Sequence, residues 1–207
     1  MIGIIDYQAG NLTSVARALD YLGLKWIISE DPEELRKCER IIFPGVGAAG
    51  SAMASLRKRG LDEFLKEAYQ KGIPILGICL GTQIILEESE EDGGTKTLGL
   101  IKGRVKRFPE PLVYEGERLK VPHMGWNRVE WVSPHPVIEG LDSDFEYYFV
   151  HSYFPIIPEE MVLGITFYGI NFVSALSFRN LVAFQFHPEK SGRPGLRILQ
   201  NFGKWVP

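Results

Sequence analysis

The sequence predicts an α/β fold: a doubly wound, mostly parallel sheet flanked by helices, with an added antiparallel or mixed sheet region. Three observations predict it. Strand and helix patterns alternate over residues 2–86, the strand runs are apolar nearly throughout, and from Gly93 onward short strands with frequent Gly and Pro replace the alternation. Parallel strands covered by crossover helices are buried on both faces, which is why they read as continuous apolar runs.

The elements follow in order. Ile2 to Asp6 reads as the first strand, and Leu12, Val15, Ala16, Leu19 and Leu22 fall at helical spacing behind Asn11 as N-cap, with Gly23 ending the helix. Lys25 to Ile28 is a strand, Pro32 to Arg36 a short helix, and Ile41 to Phe43 a strand that stops at Pro44-Gly45. A helical stretch from Ala52 to Gln70, broken near Gly60, leads to the apolar run Ile73 to Ile78 and a helix around Ile84 to Leu86. The second half supplies strands at Leu98–Ile101, Arg104–Phe108, Leu119–Pro122, Arg128–Val132, Tyr147–Val150, Val162–Phe167, Val173–Phe178 and Leu181–Phe186, then a helix from Gly195 to Trp205.

At about 150 residues per domain, the 207 residues make one generous domain, 1–207, with no linker or repeat to divide it. Hydrophobic residues at 45% and charged residues at 24% exclude a disordered, collagen-like or coiled-coil chain. A net charge of −3 gives no overall field for nucleic acid. Two cysteines, Cys38 and Cys79, allow at most one disulfide, and a domain of this size needs none, so a reducing compartment is expected. The opening residues lack the basic lead-in of a signal peptide, and no run approaches a membrane span. The expected location is cytoplasmic, away from membranes.

Chemistry concentrates at two strand ends. Gly77-Ile78-Cys79-Leu80-Gly81 lies between an apolar strand and a helix, the G-x-nucleophile-x-G pattern of a nucleophile elbow with Cys in the nucleophile position. A sharp strand-to-helix turn crowds its own backbone, so glycines flank it, while the helix N-terminus favours a thiolate and offers the Leu80 N–H to an oxyanion. Gln185-Phe186-His187-Pro188-Glu189 ends another strand. In an extended chain His187 and Glu189 project to one side, and a carboxylate there can orient an imidazole base. Cys79, His187 and Glu189 then read as nucleophile, base and orienter.

Those two motifs, with Thr82 and Gln83 after the elbow, resemble the class I glutamine amidotransferases. Asp6 to Leu12, Phe43-Pro44-Gly45-Val46-Gly47 and Pro122-His123-Met124-Gly125-Trp126-Asn127 narrow the likeness to the glutaminase subunits of imidazole glycerol phosphate synthases, over residues 2 to about 203. The resemblance implies a flavodoxin-like core and a Cys-His-Glu triad that hydrolyses glutamine to glutamate and ammonia. It implies an oxyanion hole of Val46, Gly47 and Leu80, and glutamine binding by Gly45, Gln83, His151, Ser152 and Tyr153. It further implies a (β/α)8-barrel cyclase subunit as partner, in a heterodimer of histidine biosynthesis, facing Asn11, Pro122, Met124, Trp126 and Lys190. Neither a cofactor nor a metal is implied.

Two positions depart from the family pattern. Gln8 stands where glycine is expected, which requires a backbone without positive φ, and Thr82 stands where Met is frequent, placing a polar group beside the elbow. Three rivals stay open on sequence: the glutaminase subunit of another synthase such as anthranilate synthase, a catalytically silent regulatory subunit, and a general cysteine hydrolase. Other candidates read as structure. Glu87 to Asp92 resembles a charged helix end, His123 and His135 lack partners at zinc spacing, and Cys38 reads as packing.

Overall fold

The computed structural model describes residues 1–8 and 12–207, so the expected N-cap and interface residue Asn11 lies outside the described residues. The chain begins β1 (Ile2–Ile5), α1 (Leu12–Tyr21), β2 (Trp26–Ser29), α2 (Pro32–Leu35), β3 (Arg40–Gly45), α3 (Ala49–Lys58), α4 (Leu61–Gln70), β4 (Ile75–Cys79) and α5 (Leu80–Ile84). Gly60 at φ +67° separates α3 from α4, as its position in the helical stretch predicts. Short strands follow: β5 (Glu88–Ser89), β6 (Thr95–Lys96), β7 (Arg104–Arg107), the β8 (Leu112–Tyr114) to β9 (Glu117–Leu119) hairpin, β10 (His123–Arg128) and β11 (Glu130–Trp131). The last elements are β12 (Glu146–His151), β13 (Tyr153–Ile156), β14 (Val162–Tyr168), β15 (Ile170–Phe178), β16 (Leu181–Phe184) and α6 (Gly192–Phe202).

Eight strands form one sheet in the order β11-β14-β15-β16-β4-β3-β1-β2. The run from β16 to β2 is parallel, and β15, β14 and β11 continue it antiparallel, so the added antiparallel region extends the main sheet as well as packing beside it. Alternate residues of the parallel strands enter opposite core layers, as a period of two demands. Ile42, Leu76, Ile78, Val182 and Phe184 pack under Leu19 of α1 and Ile198, Leu199 and Phe202 of α6. Ile41, Phe43, Ile75 and Ala183 pack under Leu35 of α2, Met53 and Leu56 of α3 and Phe64 and Leu65 of α4.

Three predicted elements differ. Leu98–Ile101 is not a strand: the N–H groups of Leu98, Leu100 and Ile101 donate to the carbonyls of Ile84 and Ile85, so the segment closes the C-terminal end of α5. Leu119–Pro122 is strand only at Leu119, and the segment after Pro122 forms β10, a strand the sequence pattern did not reveal. Glu87 to Asp92 is not a helix end. Glu91 Oε2 accepts the Ala49 N–H at 2.7 Å and Asp92 Oδ2 the Gly50 N–H at 3.0 Å, so these carboxylates cap α3 from another part of the chain. Among the described residues no helix is long and apolar enough to cross a membrane.

Candidate active site

β4 and β16 are adjacent and parallel, with Ile78 opposite Phe184, so both strands exit at the same edge of the sheet. Cys79 closes β4 and His187 follows β16 by three residues, and this pairing alone brings them together at the carboxyl edge, where sites collect in open α/β sheets. Cys79 adopts φ 54°, ψ −108°, a conformation costly for any residue with a Cβ and held only by what surrounds it. The flanking glycines show why the turn demands them. A Cβ on Gly81 would lie 2.0 Å from the Phe43 carbonyl oxygen, and one on Gly77 would lie 2.9 Å from the Ala183 Cβ. The elbow helix is only five residues long, so fewer peptide dipoles aid the thiolate than the sequence suggested.

His187 is extended at φ −100°, ψ 96°, as the following proline requires, but Pro188 to Lys190 is a single 3-10 turn, not extended chain. The turn still brings Glu189 back, and His187 Nδ1 donates to Glu189 Oε1 at 2.8 Å with both side chains 4% exposed or less. His187 Nε2 is buried without a hydrogen-bond partner, the position a base keeps free for a nucleophile. Burial alone would lower the imidazole pKa, yet the nearness of the Cys79 sulfur and the hydrogen bond to the Glu189 carboxylate raise it to about 9. Sγ and Nε2 thus sense each other without forming a close bond, as is common before substrate arrives.

A cavity of about 410 Å³ opens over the nucleophile, lined by Val46, Gly47, Cys79, Leu80, Gln83, Glu91, Pro122 and Val150–Tyr153. The structure therefore gathers eight predicted residues, Val46, Gly47, Leu80, Gln83, His151, Ser152, Tyr153 and Pro122, around Cys79. Gly45 falls elsewhere: it borders a narrow crevice with His187, Glu189 and Lys190, and its Cα packs so closely on the Tyr7 hydroxyl that a Cβ would lie 2.0 Å from it. A larger groove of about 700 Å³, lined by residues between Trp131 and Leu141, holds no cysteine among its lining residues.

Gln83 is buried, and its Nε2 donates to the Tyr153 carbonyl at 2.9 Å and to Gln185 Oε1 at 3.0 Å. Gln185 in turn points Nε2 at Cys79 Sγ from 3.9 Å. Thr82 is fully buried, and its hydroxyl donates to the Phe184 carbonyl at 2.6 Å, away from the cavity, which explains how a polar residue is accommodated there. Gln8 is at φ 64° with its N–H on Asp6 Oδ1 at 2.9 Å, so the backbone does take the left-handed form that its replacement of glycine was expected to avoid. Met124 and Trp126 are exposed, Trp126 meets the Tyr148 ring edge-on at 6.0 Å, and Lys190 Nζ lies 5.9 Å from the same ring, so the predicted interface residues Trp126 and Lys190 share one face.

Sequence reasoning missed three contributors. Glu91, hidden in an acidic run, is the one carboxylate lining the cavity among the described residues, and burial raises its pKa against the pull of the Ala49 N–H. Gln185 was legible, since it precedes His187 by two on an extended segment and so shares its side. Tyr148 had no sequence signal. A nucleophilic sulfur, a base with its orienting carboxylate, a turn at Gly47 (φ +99°) and a carboxylate for a cationic group together suit attack on the amide of a small zwitterion.

The family model for class I glutamine amidotransferases matches residues 3–205. The imidazole glycerol phosphate synthase subunit HisH of Nitratidesulfovibrio vulgaris (strain DP4) is 50% identical over 206 residues, 99% of this chain and 96% of that protein. Those of Desulfovibrio desulfuricans (strain ATCC 27774) and Geobacillus sp. (strain WCH70) are 51% and 47% identical, over 98% and 100% of this chain and 93% and 97% of theirs. Among solved structures, PurLQS from Thermotoga maritima superposes with a TM-score of 0.73 at 16% identity, over 100% of this chain and 98% of that one. A crystal structure of a glutamine amidotransferase superposes at 0.72 with 21% identity, over 98% of each chain.

Proposed function

The chain belongs to the class I glutamine amidotransferases, and from that membership we propose how its residues work as the glutaminase subunit of an imidazole glycerol phosphate synthase in histidine biosynthesis. The observation that carries the assignment of residues is the edge shared by β4 and β16, which sets Cys79 beside a His187 already paired with Glu189.

Glutamine lies in the cavity with its α-ammonium toward Glu91 and its carboxamide over Cys79. The thiolate attacks the carboxamide carbon, and the backbone N–H groups of Val46, Gly47 and Leu80 receive the oxyanion. His187 gives its proton to the departing nitrogen, ammonia leaves, and a glutamyl thioester remains on Cys79. Water, deprotonated by His187, cleaves the thioester to glutamate and restores the thiolate. Glu189 holds the ring in one tautomer and stabilises the imidazolium throughout.

Ammonia protonated in bulk water is no nucleophile, so it passes under cover to a second active site, carried by a partner. That partner is the cyclase subunit of the synthase, docked on the face carrying Met124, Trp126 and Lys190, with Pro122 at the rim of the glutamine cavity. The whole chain acts as one glutaminase domain in the cytoplasm.

The test is glutamate release from glutamine by the chain alone, with cyclase, and with cyclase plus its ligand. Stimulation by cyclase, abolished in Cys79→Ser, is expected. Activity unaffected by cyclase would overturn the docking partner, and activity surviving in Cys79→Ser would overturn the nucleophile.

A further inference from the structure

β10 presents two faces. Met124 and Trp126, 62% and 54% exposed, lie on one, while His123, 2% exposed, and Asn127 lie on the other, as strand alternation requires. The inner face begins a continuous chain of hydrogen bonds. Asn127 Oδ1 accepts the Arg128 N–H at 2.8 Å, so its Nδ2 is the donor that reaches the Phe167 carbonyl at 2.9 Å and His123 Nε2 at 3.2 Å. His123 Nε2 is then an acceptor, and a neutral ring carries its proton on Nδ1, which donates to His151 Nε2 at 3.0 Å. By the same logic His151 is protonated on Nδ1 and donates to the Tyr153 carbonyl at 2.8 Å. That carbonyl also receives Gln83, whose second N–H goes to Gln185, whose amide faces Cys79.

We propose that His123 is a positioning residue of the glutaminase site, linking the outer docking face of β10 to Cys79 through His151, Tyr153, Gln83 and Gln185. Every donor in the series has one acceptor sense, set at the Asn127 end by the backbone. Fixing Tyr153 O fixes the Gln83 amide, and the Gln83 amide decides which end of Gln185 the sulfur meets. Stacking between Phe149 and Tyr168, at 4.9 and 4.1 Å, keeps the His123 ring from swinging to another partner. Burial keeps both rings neutral, with pKa values of about 4 for His123 and about 3 for His151. A displacement of β10 against β12 by about half an ångström would stretch the His123–His151 bond, 3.0 Å long, to the limit of hydrogen-bond range, so pressure on Met124 and Trp126 reaches the cavity wall. The inference rests on the reading that the cyclase docks on that face.

Two measurements test it. Imidazole ¹⁵N spectra of the free chain are expected to show Nδ1–H, the less common tautomer in water, on both His123 and His151; Nε2–H on either overturns the relay. Cyclase titrations of His123→Phe, which keeps the stacked ring, and Asn127→Asp, which keeps the shape but removes the donor, are expected to leave the cyclase Kd unchanged. Cyclase stimulation of glutaminase kcat falls about tenfold in each, within the range of site-to-site coupling. Stimulation at the unsubstituted level in Asn127→Asp overturns the proposal even if His123→Phe fails to fold. A native chain that cyclase does not stimulate overturns the docking reading, and the spectra then decide the relay alone.

Discussion

His187 and Glu189 are two residues apart in sequence and form a buried ion pair at 2.8 Å, closed by a single 3-10 turn. The raised His187 pKa, about 9, means the native state prefers the imidazolium. The stability this contributes is complete below the ordinary histidine value of about 6.5 and is lost as pH rises through about 9. In Glu189→Gln the His187 titration, followed by the NMR signal of its Cε1 proton, moves to lower pH. The fall in unfolding free energy between neutral and alkaline pH also becomes shallower. Native His187 titrating at the ordinary value would contradict this account.

Glu91 is expected to set affinity, not turnover. Glu91→Gln keeps an oxygen for the Ala49 N–H and removes only the charge, so α3 stays capped. Loss of a charge-assisted hydrogen bond to the substrate ammonium, about 1.5–3 kcal/mol, raises the glutamine KM by about tenfold or more, with kcat changed far less. Steady-state kinetics decides it, and an unchanged KM removes Glu91 from the binding site.

The docking face makes a separate prediction. Trp126 is 54% exposed yet braced by Tyr148, which also holds Lys190 near, an arrangement of aromatic and cation typical of an energetic centre in an interface. Trp126→Ala is expected to cost about 2 kcal/mol or more of binding, read calorimetrically as a rise in cyclase Kd of about thirtyfold. A Kd unchanged in Trp126→Ala places the contact elsewhere.

The fold was legible where local pattern and tertiary role coincide. Apolar runs such as Ile75–Ile78 sit between two helical layers, so burial on both faces writes itself into the sequence. The grouping of Cys79, His187 and Glu189 was legible because the crowding at Cys79 forces glycines at fixed spacing, and because Pro188 fixes the chain beside His187. What stayed hidden depends on contacts distant in sequence. Leu98–Ile101 is apolar like a strand but spends its N–H groups on the end of α5. Glu91 looks solvated until α3, 42 residues earlier, supplies the N–H it accepts. His123 reads as a lone histidine because its partner, His151, is 28 residues away.

Gln8 separates a family habit from a physical requirement. Its φ of 64° is the left-handed conformation, which glycine adopts without strain and a residue with a Cβ does not. The Asp6 Oδ1 bond to its N–H uses only backbone on the Gln8 side and survives any side chain. Gln8 itself is exposed, so removing its side chain empties no core. Gly gains by relieving strain and loses by widening the unfolded ensemble, and at a left-handed position relief of about 1–2 kcal/mol exceeds an entropic loss of about 0.5–1 kcal/mol. Gln8→Gly is therefore expected to stabilise the chain by several tenths of a kcal/mol, seen as a higher urea midpoint at unchanged slope. A lower midpoint would show that the side chain itself holds the turn.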